Sequence, residues 1–265
     1  MILNKILKKL FGVNKPYVEY AKPLLSNDGY LDLHENAKKE KYDEITNIEN
    51  RLGFAIDKDF FENLALHLQV VKKKSRLNYQ HGRILYSFMR DYLSNNNDDY
   101  INVFETGTAR GFSSLCLSKA INDSNRNGTI ITLDVIPHQT KLYWNCIDDN
   151  EGKKTRAELI SYWAKEIENI IFLEGSTVEL IKKLHIERIN FSFLDAQHEE
   201  YEVMHEYNYV KERQIKGDMI IFDDYTPGIF NGVVNAISKI KNENLYNLEI
   251  INKNSQRGYV IAIKR

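Results

Sequence analysis

Acidic residues directly follow the apolar runs of this chain at five places: Glu105, Asp134, Glu174 with Gly175, Asp195, and the pair Asp223-Asp224. If each run is a parallel strand, ligands bind beyond the carboxyl ends and these side chains converge on one crevice. A carboxylate ahead of a helix also caps its free N–H groups, which needs no ligand. Capping does not account for two acids in succession. Asp195, Asp223 and Asp224 at adjacent strand ends would repel one another unless a cation or a proton resolved the clash. The first run leads into Glu105-Thr106-Gly107-Thr108-Ala109-Arg110-Gly111-Phe112-Ser113-Ser114, a glycine turn opening a helix. Such a turn lets the backbone approach a ligand, and helix N-terminal N–H groups favour negative charge. The dinucleotide fingerprint wants glycine where Ala109 and Phe112 stand, so a nucleoside ligand other than a nicotinamide fits better. Asp134 lies 23 residues after Gly111, near the offset of about 20 at which an acid grips ribose hydroxyls. His198, three residues after Asp195, is a candidate general base because imidazole titrates in the working range; the alternative is a polar helix-start residue without a role.

The elements that must position these groups follow from periodicity. Ile101–Phe104, Ile130–Leu133, Ile170–Leu173, Phe191–Leu194 and Met219–Phe222 are short apolar runs suited to parallel strands covered on both faces. Helical spacing is predicted over 113–121, 158–168, 177–184, 198–214 and 232–241. Leu248–Ile251 and Tyr259–Ile263, separated by a polar stretch, read as a hairpin that adds an antiparallel edge. The expected fold is therefore α/β: a Rossmann-like seven-stranded sheet, mostly parallel with an antiparallel edge hairpin, preceded by a helical N-terminal segment. Asn95-Asn96-Asn97-Asp98-Asp99 is turn-rich and divides residues 1–95, a helical cap or dimerisation segment that would allow a homo-oligomer, from a domain over 96–265. Residues 1–11 are basic and amphipathic, which suits a helix docked on its own domain better than a membrane surface. Lys72-Lys73-Lys74 reads as a solvated helix end. The long connection after the second strand carries Trp144 and Arg156; long loops often bind, so either is a candidate acceptor contact, while Trp144 as core is the competing reading.

Composition sets the outer bounds. Of 265 residues, 43% are apolar and 28% charged, and the net charge of -1 supplies no field to attract a nucleic-acid backbone. Two cysteines, Cys116 and Cys146, exclude a disulfide framework and favour a reduced, cytoplasmic setting. No apolar run approaches the roughly 18 residues that cross a bilayer.

The segments 105–114, Phe193-Leu194-Asp195-Ala196-Gln197-His198-Glu199-Glu200-Tyr201-Glu202 and Ile221-Phe222-Asp223-Asp224-Tyr225 resemble class I S-adenosylmethionine-dependent methyltransferases, more narrowly the divalent-metal-dependent O-methyltransferases that act on sugar hydroxyls. The resemblance covers residues 100–265. It implies that the turn, Glu105, Thr108 and Ser113 included, binds the cofactor, with Gly107, Ala109 and Gly111 against its methionine and ribose. Asp134 would hold the ribose hydroxyls, and Ser176 and Thr177 would border the adenine. Asp195, Asp223 and Asp224 match the family's metal ligands, with magnesium as the expected ion, and Asp195 and His198 would be the catalytic residues. Two departures stand out: Ala109 replaces a middle glycine, and Asp224 stands where catechol-type relatives have an amide. In-line transfer of a methyl group from a sulfonium requires an aligned and activated oxygen. Carboxylate oxygens select a hard cation, and a hydroxyl bound to one loses its proton more readily. A vicinal diol, as on a sugar, is the natural acceptor. Rival readings are a non-catalytic nucleoside-binding or assembly protein and a hydroxylase-like enzyme on the same fold.

Overall fold

The computed structural model describes residues 17–251 and 257–265; the amphipathic residues 1–11 lie outside them, as does most of the predicted hairpin turn. The sheet is built from β1 (Tyr100–Thr106), β2 (Asn127–Asp134), β3 (Ile170–Glu174), β4 (Phe191–Leu194), β5 (Met219–Phe222), β6 (Tyr246–Ile251) and β7 (Tyr259–Lys264), in the spatial order β3-β2-β1-β4-β5-β7-β6. The first five strands are parallel, and β7 runs antiparallel to both of its neighbours. It is thus the second strand of the predicted hairpin that docks on β5, and the first forms the outer edge.

Every residue of β4 and β5 is buried, as expected for central strands covered on both sides. Side chains alternate between the two faces with the period of a strand. Val103, Phe191, Phe193 and Ile221 enter one core with the helices α1 (Asn27–Lys38), α2 (Asp43–Leu52), α3 (Lys58–Leu68), α4 (His81–Asn95) and α5 (Phe112–Asp123). Phe104, Leu194, Ile220 and Phe222 enter the other, beneath α8 (Thr177–Ile181), α9 (Glu200–Lys211) and α10 (Asn231–Glu243). The helices ahead of β1 share the core of the sheet, and α4 lies so close to α5 that a Cβ on Gly82 would come within 2.7 Å of the Phe112 ring. Helix starts follow local chemistry: the Ser26 hydroxyl and the Asp57 carboxylate accept backbone N–H groups at 3.3 and 2.8 Å.

The stretch predicted as one helix over 158–168 is broken into α6 (Arg156–Ile160), a 3-10 turn (Ser161–Trp163) and α7 (Ala164–Ile167). The long connection before it is pinched shut by a two-way backbone pairing of Leu142 with Lys154. Among the described residues, no helix is long and apolar enough to cross a membrane.

Candidate active site

Register brings the carboxyl ends of four strands level. Thr106 sits beside Leu133 and Leu194, and Leu194 beside Phe222, so Gly107, Asp134, Asp195 and Asp223 emerge on one edge. There a cavity of about 380 Å³ opens, walled by Gly107, Ala109, Asp134, Ser176, Thr177 and Asp195 among others. Gly107 has φ +89°, and a Cβ on it would stand 2.3 Å from the Asp195 carbonyl oxygen. The turn after β1 and the end of β4 therefore touch backbone to backbone, which only glycine permits. Ala109 takes a left-handed conformation with φ 47°. The Asp134 carboxylate accepts the backbone N–H groups of Ala109 and, at 2.7 Å, Ile136. Burial raises its pKa, while those N–H bonds and Arg156 draw it back down.

Arg156 organises this corner from behind. It is 1% exposed, donates from Nε to the Ala109 carbonyl at 2.8 Å and from Nη2 to the Ile136 carbonyl at 3.0 Å, and stands 3.8 Å from Asp134. The expectation that Arg156 contacts an acceptor is therefore corrected: its guanidinium ties the backbone of the glycine turn to that of the loop after β2. Trp144 is also buried, with its indole N–H donated to the Lys154 carbonyl at 2.8 Å, and presents one side to the cavity.

Glu105, Thr108, Gly111 and Ser113, assigned to the cofactor on resemblance, do not line the cavity. Glu105 is fully buried on the opposite side of β1, where it accepts the Ser114 hydroxyl, and burial raises its pKa. The Thr108 hydroxyl bonds that of Thr132 at 2.6 Å, and Gly111, with φ +93°, starts α5. These residues shape the turn.

Beyond Asp195 the acids gather. His198 Nε2 lies 2.8 Å from Asp224 Oδ2, and the ring is stacked on Phe230 with centroids 4.3 Å apart. One ligand atom each from Asp195, His198 and Asp224 falls within 4.8 Å of the others. Hard carboxylate oxygens suit a magnesium-like ion, whose bonds of about 2.1 Å would require these atoms to lie within roughly 4 Å of one another. Asp223, 1% exposed, neighbours Asp195 but is not one of these three groups: Arg257 grips both of its oxygens. The hydrogen bond to Asp224 raises the His198 pKa. For Asp224, burial pushes upward, but the His198 bond and the Arg257 charge hold its carboxyl below the usual range. Burial, and then the neighbouring Asp223, push Asp195 well upward.

Several site residues carried no signal in the sequence. Tyr17, Val18 and Tyr20 wall the cavity from the segment ahead of α1, and Arg110 joins them from the glycine turn. Lys72-Lys73-Lys74 lies in the loop between α3 and α4, not at a helix end, and Lys73 is within electrostatic range of Arg257 and Asp224.

Residues 104–225 match the family model described as a methyltransferase domain. No curated protein matches the sequence. Among solved structures, the chain is similar to the O-methyltransferase TomG from Streptomyces achromogenes, involved in tomaymycin synthesis and solved with SAM: TM-score 0.54, 13% identity, covering 80% of this chain and 92% of that one. It is similar to an O-methyltransferase from Bacillus cereus in complex with SAH at TM-score 0.52 and 12% identity, covering 90% and 100%. It is similar also to the O-methyltransferase NovP at TM-score 0.54 and 13% identity, covering 91% and 99%.

Proposed function

We propose that this chain, which carries a class I S-adenosylmethionine-dependent methyltransferase domain, moves the methyl group to a hydroxyl oxygen of a small molecule bearing adjacent hydroxyls, such as a sugar or glycoconjugate. The observation that carries the reading is the position of Asp195, which walls the cofactor cavity and belongs to the acidic cluster. Donor and acceptor sites thereby meet at one residue. The Asp134 carboxylate walls the cavity, and the backbone N–H bonds it accepts hold it in place to receive the ribose diol. Gly107 and Ala109 offer close backbone to the methionine end, and Ser176 and Thr177 border the adenine.

Asp195 and Asp224 would hold a divalent cation, with His198 beside them; bound there, the ion supplies Lewis acidity that makes an acceptor hydroxyl easier to deprotonate. Asp224 Oδ2 fixes His198 as the tautomer with its proton on Nε2, which leaves Nδ1 with a lone pair to take the hydroxyl proton. The acceptor oxygen bonds the methyl carbon as the carbon–sulfur bond breaks, and that electron pair stays on sulfur. The N-terminal segment acts as a cap, a role supported by Tyr17, Val18 and Tyr20, ahead of α1, on the cavity wall. Transfer of isotope from the donor methyl to free and nucleotide-linked hexoses, with and without chelator, tests the reading.

A further inference from the structure

Three carboxylates at neighbouring strand ends need compensating charge; Arg257 stands within ion-pair range of all three and grips Asp223 most closely. Arg257, just ahead of β7, donates from Nε to Asp223 Oδ1 at 2.9 Å and from Nη2 to Oδ2, a two-pronged pair. Asp223 Oδ1 also accepts the backbone N–H of Asp224 at 2.7 Å. The guanidinium is anchored in turn: Nη1 donates to the Asn78 carbonyl at 3.2 Å, and the Tyr259 ring lies 5.9 Å from its central carbon. Asp195 and Asp224 stand farther off, at 3.6 and 3.8 Å from the same guanidinium, and keep side-chain exposures of 21% and 17% against 1% for Asp223.

We propose that Arg257 is a positioning residue that withdraws Asp223 from the cation and leaves Asp195 and Asp224 as its two carboxylate ligands. This departs from the ligand set that resemblance implies, and it rests on the cation-assisted reading above. Magnesium-like ions are commonly held by one or two carboxylates, with water or substrate oxygens in the remaining positions. With two carboxylates, four positions of an octahedral ion remain for water and acceptor oxygens.

Mn²⁺ binding to the whole chain saturated with S-adenosylhomocysteine, followed by calorimetry and by electron paramagnetic resonance, tests this. The charge-neutral double variant Asp223→Asn/Arg257→Gln is expected to bind Mn²⁺ within about threefold of wild type, and Asp195→Asn or Asp224→Asn to weaken it at least about thirtyfold. Arg257→Gln alone frees Asp223 and is expected to tighten Mn²⁺ about tenfold or more, with one fewer bound water. A double variant as weak as Asp224→Asn, or no tightening in a folded Arg257→Gln protein, overturns the proposal. If the single variant does not fold, because its buried carboxylate loses its partner, the double variant decides. A wild-type protein that binds S-adenosylhomocysteine but no Mn²⁺ overturns the cation reading and this ligand set with it, whereas Mn²⁺ binding lost in the double variant overturns the ligand set alone.

Discussion

Replacing Gly107 by Ala probes the contact on which the geometry of the site depends. At φ +89° an L-residue is strained, and the new Cβ would lie 2.3 Å from the Asp195 carbonyl oxygen and 2.7 Å from its carbon. The left-handed backbone costs about 1–2 kcal/mol. The overlap falls on backbone atoms that cannot rotate away, so the end of β4 must shift, at a further cost of about 1–3 kcal/mol. The sum of about 2–5 kcal/mol corresponds to a Tm lower by about 4–20 °C in a chain of this size. Because Asp195 moves with its backbone, methyl transfer is expected to fall by about a hundredfold, the typical result of a misplacement near 1 Å. Gly217→Ala is the control: it has φ +93° with nothing within 4 Å of its would-be Cβ, so it bears the strain without the overlap. Scanning calorimetry and initial rates on the two variants separate these effects. A Gly107→Ala protein with the stability of Gly217→Ala and wild-type activity would refute the contact between the turn and β4.

Two titrations give further expectations. Glu206 is 2% exposed, accepts the Thr106 hydroxyl at 2.8 Å, and has its pKa raised by burial from 4.5 to about 7. A raised folded-state pKa gives stability that is complete below pH 4.5 and lost as pH climbs towards 7, in all about 3 kcal/mol. Glu206→Gln should flatten that part of the stability–pH curve in denaturant titrations; parallel curves for the two proteins would contradict the assignment. His198 must be neutral to accept a proton, and its pKa is raised above 6.5 by the Asp224 hydrogen bond. The acid limb of kcat/KM should therefore vanish in His198→Gln along with most of the activity, and a limb unchanged in the variant would remove His198 from the proton path.

The sheet was legible because its strands are short apolar runs bounded by polar residues, and a fully buried parallel strand has no simpler signature. The convergence of Asp134, Asp195, Asp223 and Asp224 followed from the same runs, since parallel strands put their carboxyl ends on one edge. What the sequence hid were the directions of side chains and the pairs set by topology. Glu105 looks like part of the glycine turn, yet it lies on the other face of β1 and satisfies α5. Arg257 is separated from Asp223 by 34 residues and meets it only because β7 inserts between β5 and β6. The helix predicted over 158–168 has the right periodicity but is interrupted at Ser161–Trp163, where Trp163 turns into the core. The aromatic wall from Tyr17 and Tyr20 depends on a loop crossing the cavity, which no local pattern encodes.

Labelled methyl transfer to hexose acceptors in the presence of chelator puts the shared site to the test most directly. With donor and acceptor meeting at Asp195 beside a cation, the label is expected in an ether of the acceptor, to stop on chelation, and to return with Mg²⁺, while affinity for S-adenosylhomocysteine stays constant. Label entering the acceptor at an undiminished rate in excess chelator would contradict it.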